Sequence, residues 1–265
     1  MKQLLSFIWI VFLLTSCEVD WLTPQGGDIV PDTQARIARQ TQISSFDGKT
    51  VTRVGKYQYN PAGQLEQINW FSSEKATTRT GYETYTYDAQ GQLIYHRTYY
   101  QGTGPNDFSQ TAVIEYQYPA TNRVVKLSYY LQSPGKALQL YEANEITLGP
   151  GGRPVQARVF RDDSLRVNPE RIITYVYDRD GRLIRENWLF TQNAINLATL
   201  YSYKGQTGTV SMQFDNQTPN TTSRMWYDRR GRLIREEPVV RSLDDKIQQI
   251  AYIAPPPIRV FEYVD

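Results

Sequence analysis

Tyr175-Val176-Tyr177-Asp178-Arg179-Asp180-Gly181-Arg182-Leu183-Ile184 is the stretch that decides the fold, and it has the pattern of strand, tight turn and returning strand. Tyr175 and Tyr177 are two residues apart, so in a strand they share one face. Asp178 can accept hydrogen bonds from the backbone N–H groups that follow it, which favours a turn. Gly181 closes the turn, where the backbone needs a positive φ that a Cβ disfavours. The stretch therefore predicts a β-hairpin.

Variants of this stretch recur along most of the chain. The turn positions Gly63, Gly91, Asn122, Gly152 and Gly181 follow one another at intervals of 28 to 31 residues. A period of that size is typical of a repeat architecture. The strong copies begin the turn with Asp or Asn and end it with Gly, at Asn60 and Gly63, Asp88 and Gly91, Asp178 and Gly181, and Asp228 and Gly231.

These repeats predict an all-β fold. They imply an antiparallel meander of about seven β-hairpins, and therefore about fourteen strands. A sheet of many strands twists, so we expect it to be strongly curved or rolled into a barrel-like form. We divide the chain into a leader over residues 1–16, a flexible tether over residues 17–40 and the repeat domain over residues 41–265.

The N-terminal segment resembles the leader of bacterial lipoproteins. Lys2 precedes an apolar run from Leu4 to Leu14, which is too short to span a bilayer as a permanent helix. Leu14-Thr15-Ser16-Cys17 resembles a lipobox, which implies that the leader is cut before Cys17 and that this cysteine is lipidated. An ordinary signal peptide, or a membrane anchor with an incidental cysteine, is the alternative.

The residue after the cysteine bears on location. Glu18 rather than Asp follows Cys17, and its resemblance to known sorting signals implies passage to the outer membrane of a Gram-negative bacterium. Whether the protein faces the periplasm or the cell surface stays open.

The pattern Tyr-x-Tyr-Asp-x-x-Gly-x-Leu is similar to the YD repeat, also called the Rhs repeat, and it covers most of residues 57–235. In large members of that family such repeats build β-sheet shells around toxin domains. This chain is short, so toxin encapsulation is not carried over to it. It looks more like the small YD-repeat lipoproteins of Bacteroidetes-type bacteria, which implies a lipid-anchored protein of the cell envelope.

The supply of chemically active residues argues against several classes of activity. A net charge of +2 gives no reason to expect nucleic-acid binding, and the single cysteine excludes an internal disulfide. His96 is the only histidine, and we expect its side chain to be half-exposed on a strand. Asp162-Asp163 and Asp244-Asp245 are adjacent pairs, and strand neighbours point to opposite faces, so neither forms an acid–base pair.

One turn has the residues of a metal loop. Asp178-Arg179-Asp180-Gly181 resembles the start of a calcium loop. The other copies lack its second acid, so a turn is the better interpretation. We predict no catalytic residues, no metal site and no cofactor.

Four aromatic residues form a candidate binding face. With strict alternation, Trp70, Tyr100, Trp188 and Phe190 fall on the face opposite to the leucine that follows each turn. Three interpretations stay open. Both faces of the sheet are covered and the rings are core, or a β-bulge returns them to the leucine face, or they form an exposed stripe that binds sugar rings or docks a partner.

Two functions remain. The first, which we expect, is a binding or scaffold module of the cell envelope, held to a membrane through Cys17 and gripping a glycan or an envelope protein. The second is a carbohydrate hydrolase of the envelope that uses scattered carboxylates. A hydrolase would need two acids about 5–10 Å apart in an aromatic cleft.

Overall fold

The computed structural model describes residues 36–46, 49–102, 104, 107–119, 124–132, 136–161, 167–192, 194–215, 217–239 and 257–264. Within these ranges the only regular helix is one 3₁₀ turn, Pro150–Gly152, and no helix there is long and apolar enough to cross a membrane. The strands are β1 (Arg36–Phe46), β2 (Lys49–Tyr59), β3 (Leu65–Phe71), β4 (Arg79–Tyr87), β5 (Leu93–Gln101), β6 (Phe108–Gln117), β7 (Val124–Leu131), β8 (Gln139–Leu148), β9 (Pro154–Arg161), β10 (Arg171–Tyr177), β11 (Leu183–Phe190), β12 (Ile195–Lys204), β13 (Thr207–Phe214), β14 (Asn220–Tyr227), β15 (Leu233–Pro238) and β16 (Ile258–Val264).

The sixteen strands form one closed barrel, in which consecutive strands are neighbours and β1 pairs with β16. The predicted all-β antiparallel meander is confirmed. The repeat turns join β2 to β3, β4 to β5 and so on up to β14 and β15, and β1 and β16 form an eighth pair. The described residues therefore contain sixteen strands rather than about fourteen, because β1 and β16 add one strand each.

The barrel begins earlier in the chain than the sequence predicted. β1 starts at Arg36, inside the segment that was interpreted as a tether, because its backbone pairs with both β2 and β16. The leader, Cys17 and the rest of residues 1–35 lie outside the described residues.

The turn glycines have the left-handed conformation that their position predicts. Gly181 has a φ of 82°, and its amide donates to the carbonyl oxygen of Asp178 at 3.0 Å. Gly63, Gly91 and Gly231 have φ values between 79° and 83°.

The Asp or Asn at the start of each strong turn accepts hydrogen bonds from backbone N–H groups of the same turn. Asp178 Oδ1 accepts the backbone N–H groups of Asp180 at 3.0 Å and of Arg182 at 2.8 Å. Its Oδ2 accepts Arg182 Nε at 2.7 Å. These bonds support the turn interpretation of this stretch. Asp88 and Asp228 accept the same two backbone N–H groups, and Asn60 accepts the second of them.

A β-bulge after the turn decides which side chains share a face. Tyr177 lies opposite Leu183, but Val176 lies opposite Arg185, so Ile184 is an extra residue in β11. The same shift occurs after the turns of β2–β3, β4–β5, β8–β9 and β14–β15. The bulge reverses the alternation, so residues three, five and seven after the turn leucine return to the leucine's face.

That face, which we call the core face, carries the main hydrophobic cluster. On a closed barrel the outer surface has no further layer of strands above it, whereas inner side chains cover one another. A buried cluster that crosses eight strands therefore places the core face on the inside. The cluster consists of Leu93, Tyr116, Val125, Ile146, Ala157, Val159, Ile173, Trp188 and Leu197.

The opposite face, which we call the polar face, carries long charged side chains at the middle of several strands. The buried Phe160 on this face has the guanidinium of Arg158 5.1 Å from its ring centroid. The polar face therefore forms the outer surface. Its strand charges include Lys56, Arg97, Lys126, Arg158 and Arg185.

In most repeats a tyrosine hydroxyl near the end of one strand joins that repeat to the pair of strands before it. Tyr177 donates its hydroxyl hydrogen to the carbonyl oxygen of Pro154 at 2.9 Å, and Pro154 holds the position that leucine holds in the strong copies. We call this bond the tyrosine clasp. It recurs from Tyr59 to Ile37, Tyr87 to Leu65, Tyr118 to Leu93, Tyr203 to Leu183 and Tyr263 to Leu233, at 2.8–3.1 Å.

Candidate functional site

The four aromatic residues predicted as a binding face all lie on the core face, so their placement opposite the turn leucines is wrong. The bulge after the turn is the reason, as one of the open interpretations anticipated. Trp70 and Trp188 are 4% and 6% exposed, and Phe190 packs against the hydrophobic cluster. Tyr100 is 47% exposed. A binding role stays a prediction, and Tyr100 is the one ring of the four that solvent reaches freely.

The structure brings these residues together in two groups on opposite walls of the barrel. β3 and β11 are eight strands apart in a ring of sixteen, so Trp70 and Trp188 face each other across the interior. Tyr100 belongs with Trp70, because the guanidinium of Arg53 lies 4.1 Å from the Trp70 ring centroid and 5.6 Å from that of Tyr100. Phe190 belongs with Trp188 on β11.

The first group, the Trp70 cluster, surrounds the carboxylate of Glu83. Trp70 Nε1 donates to Glu83 Oε1 at 2.7 Å, and the Tyr85 hydroxyl donates to Oε2 at 2.9 Å. His96 Nε2 lies 2.9 Å from the same Oε2. Burial alone would raise the pKa of Glu83, but the hydrogen bonds and the charge on His96 outweigh it and lower that pKa.

His96 differs from the half-exposed strand residue that the sequence predicted. Its side chain is only 3% exposed, and its ring stacks on Tyr85 with 4.5 Å between centroids. The position three residues after the turn leucine returns to the core face because of the bulge. The lone histidine is therefore a buried partner of Glu83.

The second group, the Trp188 cluster, contains a buried ion pair. Arg171 is 1% exposed, and its Nη2 donates to Glu142 Oε2 at 2.7 Å. Asn144 Nδ2 donates to the other carboxylate oxygen, Oε1, at 3.0 Å. The Arg171 guanidinium also lies 5.5 Å from the Trp188 ring centroid. Sequence reasoning missed Glu142, Asn144 and Arg171, because they lie on β8 and β10, which belong to different hairpins, and no local pattern indicates that these side chains meet.

Glu186 is the second carboxyl group of the Trp188 cluster. Tyr201 donates its hydroxyl hydrogen to Glu186 Oε1 at 3.0 Å, and Trp188 Nε1 donates to Oε2 at 3.2 Å. Burial raises the pKa of Glu186, and these two hydrogen bonds offset only part of that rise. The side chain therefore holds its proton to a higher pH than an ordinary glutamate does.

The buried carboxyl groups are spread around the barrel. Glu142 is on β8 and Glu186 on β11, three strand spacings or about 14 Å apart along the sheet, and Glu83 on β4 is farther from both. Glycosidase carboxyl pairs lie about 5–9.5 Å apart. In the described ranges no three His, Cys, Asp or Glu side chains lie close enough together to hold a metal ion.

The two ends of the core face differ in exposure. We call the end with the repeat turns the turn end and the opposite one the loop end. Leu93 and Leu183, which follow turns, are buried. Val51, Tyr100 and Phe214 lie at the loop end of their strands and are exposed, although their pairing places them on the core face. The loop end is thus where solvent reaches the core face.

Comparisons with known proteins give neither a family nor a curated relative. No protein-family model matches the chain, and no curated protein matches it. A porin-like protein from Bacteroides uniformis ATCC 8492 is similar over 86% of this chain and 96% of its own, with a TM-score of 0.40 and 9% identity.

Two further solved structures show weaker similarity. A protein of unknown function from Bacteroides fragilis NCTC 9343 matches 53% of this chain and 90% of its own, with a TM-score of 0.28 and 11% identity. TcdB2-TccC3 without its hypervariable C-terminal region matches 76% of this chain and 15% of its own, with a TM-score of 0.23 and 12% identity. At these TM-scores the similarities carry no argument about function, and the YD-repeat resemblance stays an interpretation of the sequence.

Proposed function

We propose that the protein is a binding or scaffold module of the cell envelope, anchored by lipid on Cys17, which takes its ligand at the loop end of the barrel. The observation that carries the proposal is the exposure of Tyr100 on the core face, with its ring beside the guanidinium of Arg53. The tyrosine ring offers an apolar surface and one hydroxyl, and the guanidinium beside it can donate several hydrogen bonds. Glycans and peptide segments can both use such a combination.

The hydrogen bonds and the ion pair that hold the buried glutamates favour a binding function over hydrolysis. Glu83 is held by three side chains, and Glu142 is paired with Arg171. Glycoside hydrolysis needs one carboxyl group to act as an acid and another to act as a base or nucleophile across one sugar ring. The carboxylate of Glu142 is already bonded to Arg171 and Asn144.

The outer surface supports anchoring through lipid. Charged side chains on a lipid-facing strand cost about 2–4 kcal/mol each at the middle of a bilayer. A barrel held by acyl chains on Cys17 keeps its outer charges in water, whereas a barrel whose strands cross the bilayer would bury them. The charges concerned are those of the polar face, at Lys56, Arg97, Lys126, Arg158 and Arg185.

Anchoring is tested by fractionating cells that produce Cys17→Ser. We expect the variant to leave the membrane fraction or to keep its leader, because serine offers no thiol for lipidation. Ser16→Ala is the matched control, since it keeps a small residue before the cysteine and should fractionate like the unmodified protein. A Cys17→Ser protein with unchanged fractionation and migration would contradict the anchor.

Binding at the loop end is tested with Tyr100→Ala. Tyr95→Ala is the matched control, because Tyr95 lies on the polar face of the same strand. Retention on immobilised polysaccharide and protein fractions of the bacterial envelope is measured for both. We expect Tyr100→Ala alone to lose retention while its melting temperature changes little. Equal retention of the two variants would end the loop-end proposal.

The hydrolase remains the second candidate because of Glu186. A carboxyl group whose pKa is raised by burial against a tryptophan is a feature of general acids. The test is the release of reducing sugar from envelope polysaccharides by the purified protein. Release that disappears in Glu186→Gln would establish the hydrolase and overturn the non-catalytic proposal.

A further inference from the structure

One sector of the turn end carries an excess of positive charge. It consists of the three successive turns between β10 and β15, at residues 178–182, 204–206 and 228–232, and we call these residues the basic rim. The rim contains six basic and three acidic side chains, a net charge of +3, while the whole chain has a net charge of +2. The positive charge of the chain is therefore concentrated at this sector.

The acids of the basic rim are paired inside their own turns. Asp178 and Asp228 each accept the Nε of an arginine, Arg182 and Arg232 respectively, at 2.7 Å. Asp180 lies 3.2 Å from Nη2 of the same Arg182. The other four basic residues of the rim are all exposed, and they are Arg179, Lys204, Arg229 and Arg230. The rim thus presents four positive charges to whatever lies beyond the turn end.

The basic rim is wide. Neighbouring strands lie about 4.8 Å apart, and successive turns are two strands apart in the ring. The three turns therefore extend over about 20 Å, whereas a charge acts over about 8 Å at physiological ionic strength. A single phosphate group can meet one turn only, but a flat surface of many anionic groups can meet all three.

The described chain begins beside the basic rim. Arg36 is the first residue of β1, and the hydroxyl of Tyr59, which precedes a repeat turn, donates to the carbonyl oxygen of Ile37 at 3.0 Å. β1 pairs with β16, which is the neighbour of β15. Only eighteen residues separate Arg36 from Cys17. The proposed lipid anchor and the basic rim therefore belong to the same end of the barrel.

From these observations we propose that the basic rim docks on anionic phospholipid headgroups of the membrane that holds the acyl chains of Cys17. Basic residues close to an anionic membrane are attracted to it and reinforce a lipid anchor. This docking rests on the proposed anchor and adds an orientation to it. The turn end faces the membrane, and the loop end, with Tyr100, faces away from it.

The acidic segment before β1 is the competing partner for the rim. Residues 18–35 contain four acids and no basic residue. Glu18 and Asp20 directly follow Cys17, so lipidation would hold them at the membrane. Asp28 and Asp32 are the two acids nearer to the barrel, against four exposed cations on the rim. The larger number of charges on a membrane surface favours the membrane as the partner.

The experiment measures sedimentation of the mature chain with vesicles. Cys17→Ser is used throughout, so that no acyl chain contributes to binding. Vesicles of phosphatidylcholine alone are compared with vesicles of equal parts phosphatidylcholine and phosphatidylglycerol. We expect binding to the mixed vesicles only, and we expect high salt to abolish it because salt screens exposed charges.

Paired substitutions locate the binding surface. Arg229→Gln combined with Arg230→Gln removes two exposed charges and keeps the backbone N–H that donates to Asp228. We expect this pair to weaken binding at least about tenfold. Arg97→Gln combined with Arg158→Gln removes the same charge from the middle of strands on the polar face and should leave binding unchanged. If the first pair fails to fold, Arg179→Gln combined with Lys204→Gln removes two other rim charges.

The orientation is measured with a fluorophore whose emission responds to lipid. Cys17 is the only cysteine, so the Cys17→Ser chain can be labelled at a single introduced site. Gln206→Cys places the label on the basic rim, and Ser72→Cys places it between β3 and β4 at the loop end. We expect the emission to change on vesicle binding only for the label on the rim.

Three outcomes would overturn the inference. One is that the mixed vesicles are not bound, as when the acidic segment neutralises the rim. The others are equal weakening by the rim pair and the polar-face pair, and a response of the loop-end label instead of the rim label. Failure of docking is distinguishable from failure of the proposed function. Membrane fractionation that depends on Cys17, with retention that depends on Tyr100, leaves the binding module standing and removes only the docking.

Discussion

At the residue scale, one type of side chain has opposite properties on the two walls of the barrel. Glu83 lies beside His96, and the hydrogen bonds and charge it meets lower its pKa. Glu186 receives hydrogen bonds from Tyr201 and Trp188, which are neutral, so burial dominates and raises its pKa. The neighbours of each carboxyl group, rather than its burial alone, therefore set its ionisation.

The two glutamates should respond oppositely to amidation. The pKa of folded Glu186 lies above the ordinary value of 4.5, so its contribution to stability is present below that pH and is lost as the pH rises through the folded pKa. We expect Glu186→Gln to raise the melting temperature at pH 8 and to change it little at pH 4. A lower melting temperature for Glu186→Gln at pH 8 would contradict the raised pKa.

Glu83 provides the comparison. Its folded pKa lies below 4.5, so its contribution to stability is present above that pH and is lost as the pH falls. We expect Glu83→Gln to lower the melting temperature at pH 7, with a smaller effect near pH 3. Equal melting curves for Glu83→Gln and the unmodified protein at pH 7 would argue against the lowered pKa of Glu83.

A turn glycine should be harder to replace where a side chain lies against it. Gly181→Ala places a Cβ at positive φ and also into the guanidinium of Arg153, which lies over Tyr177. Gly205→Ala has the same kind of φ but no atom within 4 Å. Left-handed strain costs about 1–3 kcal/mol, and we expect the larger loss at Gly181 in urea unfolding. Equal losses would mean that Arg153 moves aside freely.

At the scale of the element, the unit of this barrel is a hairpin that is joined to the preceding hairpin. The Asp and Gly of the turn fold each hairpin locally, and the tyrosine clasp joins it to the repeat before it. Because the clasp acceptor is a backbone carbonyl oxygen, the clasp survives where the leucine is replaced, as at Pro154. The strands therefore keep their register even in the partial copies.

The clasp predicts a measurable cost for losing one hydroxyl. Tyr177→Phe removes the bond to Pro154 and leaves the ring in place, and a hydrogen bond of this type contributes about 0.5–1.5 kcal/mol. Tyr95→Phe, on the polar face beneath Arg97, is the control and should change stability less. The measurement is the free energy of unfolding in urea. Equal values for Tyr177→Phe and Tyr95→Phe would show that the clasp does not stabilise the barrel.

The two tryptophans should behave as core residues. Trp188 is 6% exposed, and truncation of a buried tryptophan to alanine costs about 3–5 kcal/mol. The exposed Tyr100 should lose only about 0.5 kcal/mol in Tyr100→Ala. Chemical unfolding of Trp70→Ala, Trp188→Ala and Tyr100→Ala separates these cases. A Trp188→Ala variant as stable as Tyr100→Ala would show that the ring is not packed.

The hairpins could be predicted from the sequence because their signals are local. The sequence did not reveal which face of the sheet carries each residue that follows the bulge. Leu183 and Ile184 are both apolar, so the extra residue of the bulge looks like a normal strand position. The available signal was the charge at Arg185, which strict alternation would place on the same face as Leu183. The Trp188 cluster was missed because its members come from several strands and meet only once β8 to β12 have paired.

At the scale of the whole molecule, closure makes the interior continuous and places many tyrosines in partly buried surroundings. Burial is the main cause that raises the pKa of Tyr118 and of Tyr177 from 10.0 to about 12. Their contribution to stability is fully present below about pH 10 and is lost as the pH rises through about 12. The clasps at both residues also need the protonated hydroxyl.

We therefore expect the barrel to lose stability between about pH 10 and about pH 12. Melting temperature and tyrosinate absorbance are recorded together across that range, with the chain in strong denaturant as the control. The unfolded control should ionise near pH 10, before the folded protein does. Ionisation of all tyrosines near pH 10 in a protein that stays folded would contradict the clasps.

The closing pair of β1 and β16 makes the order of synthesis important. Its register joins Arg36 to Val264, so β1 cannot complete its pairing until β16 has been synthesised. Until then one edge of β1 has no partner, and unpaired edges are templates for association with other chains. Such distant pairing also slows folding. A chain that is cut short before residue 258 therefore retains two unsatisfied edges, so premature termination should yield aggregates rather than a smaller, stable barrel.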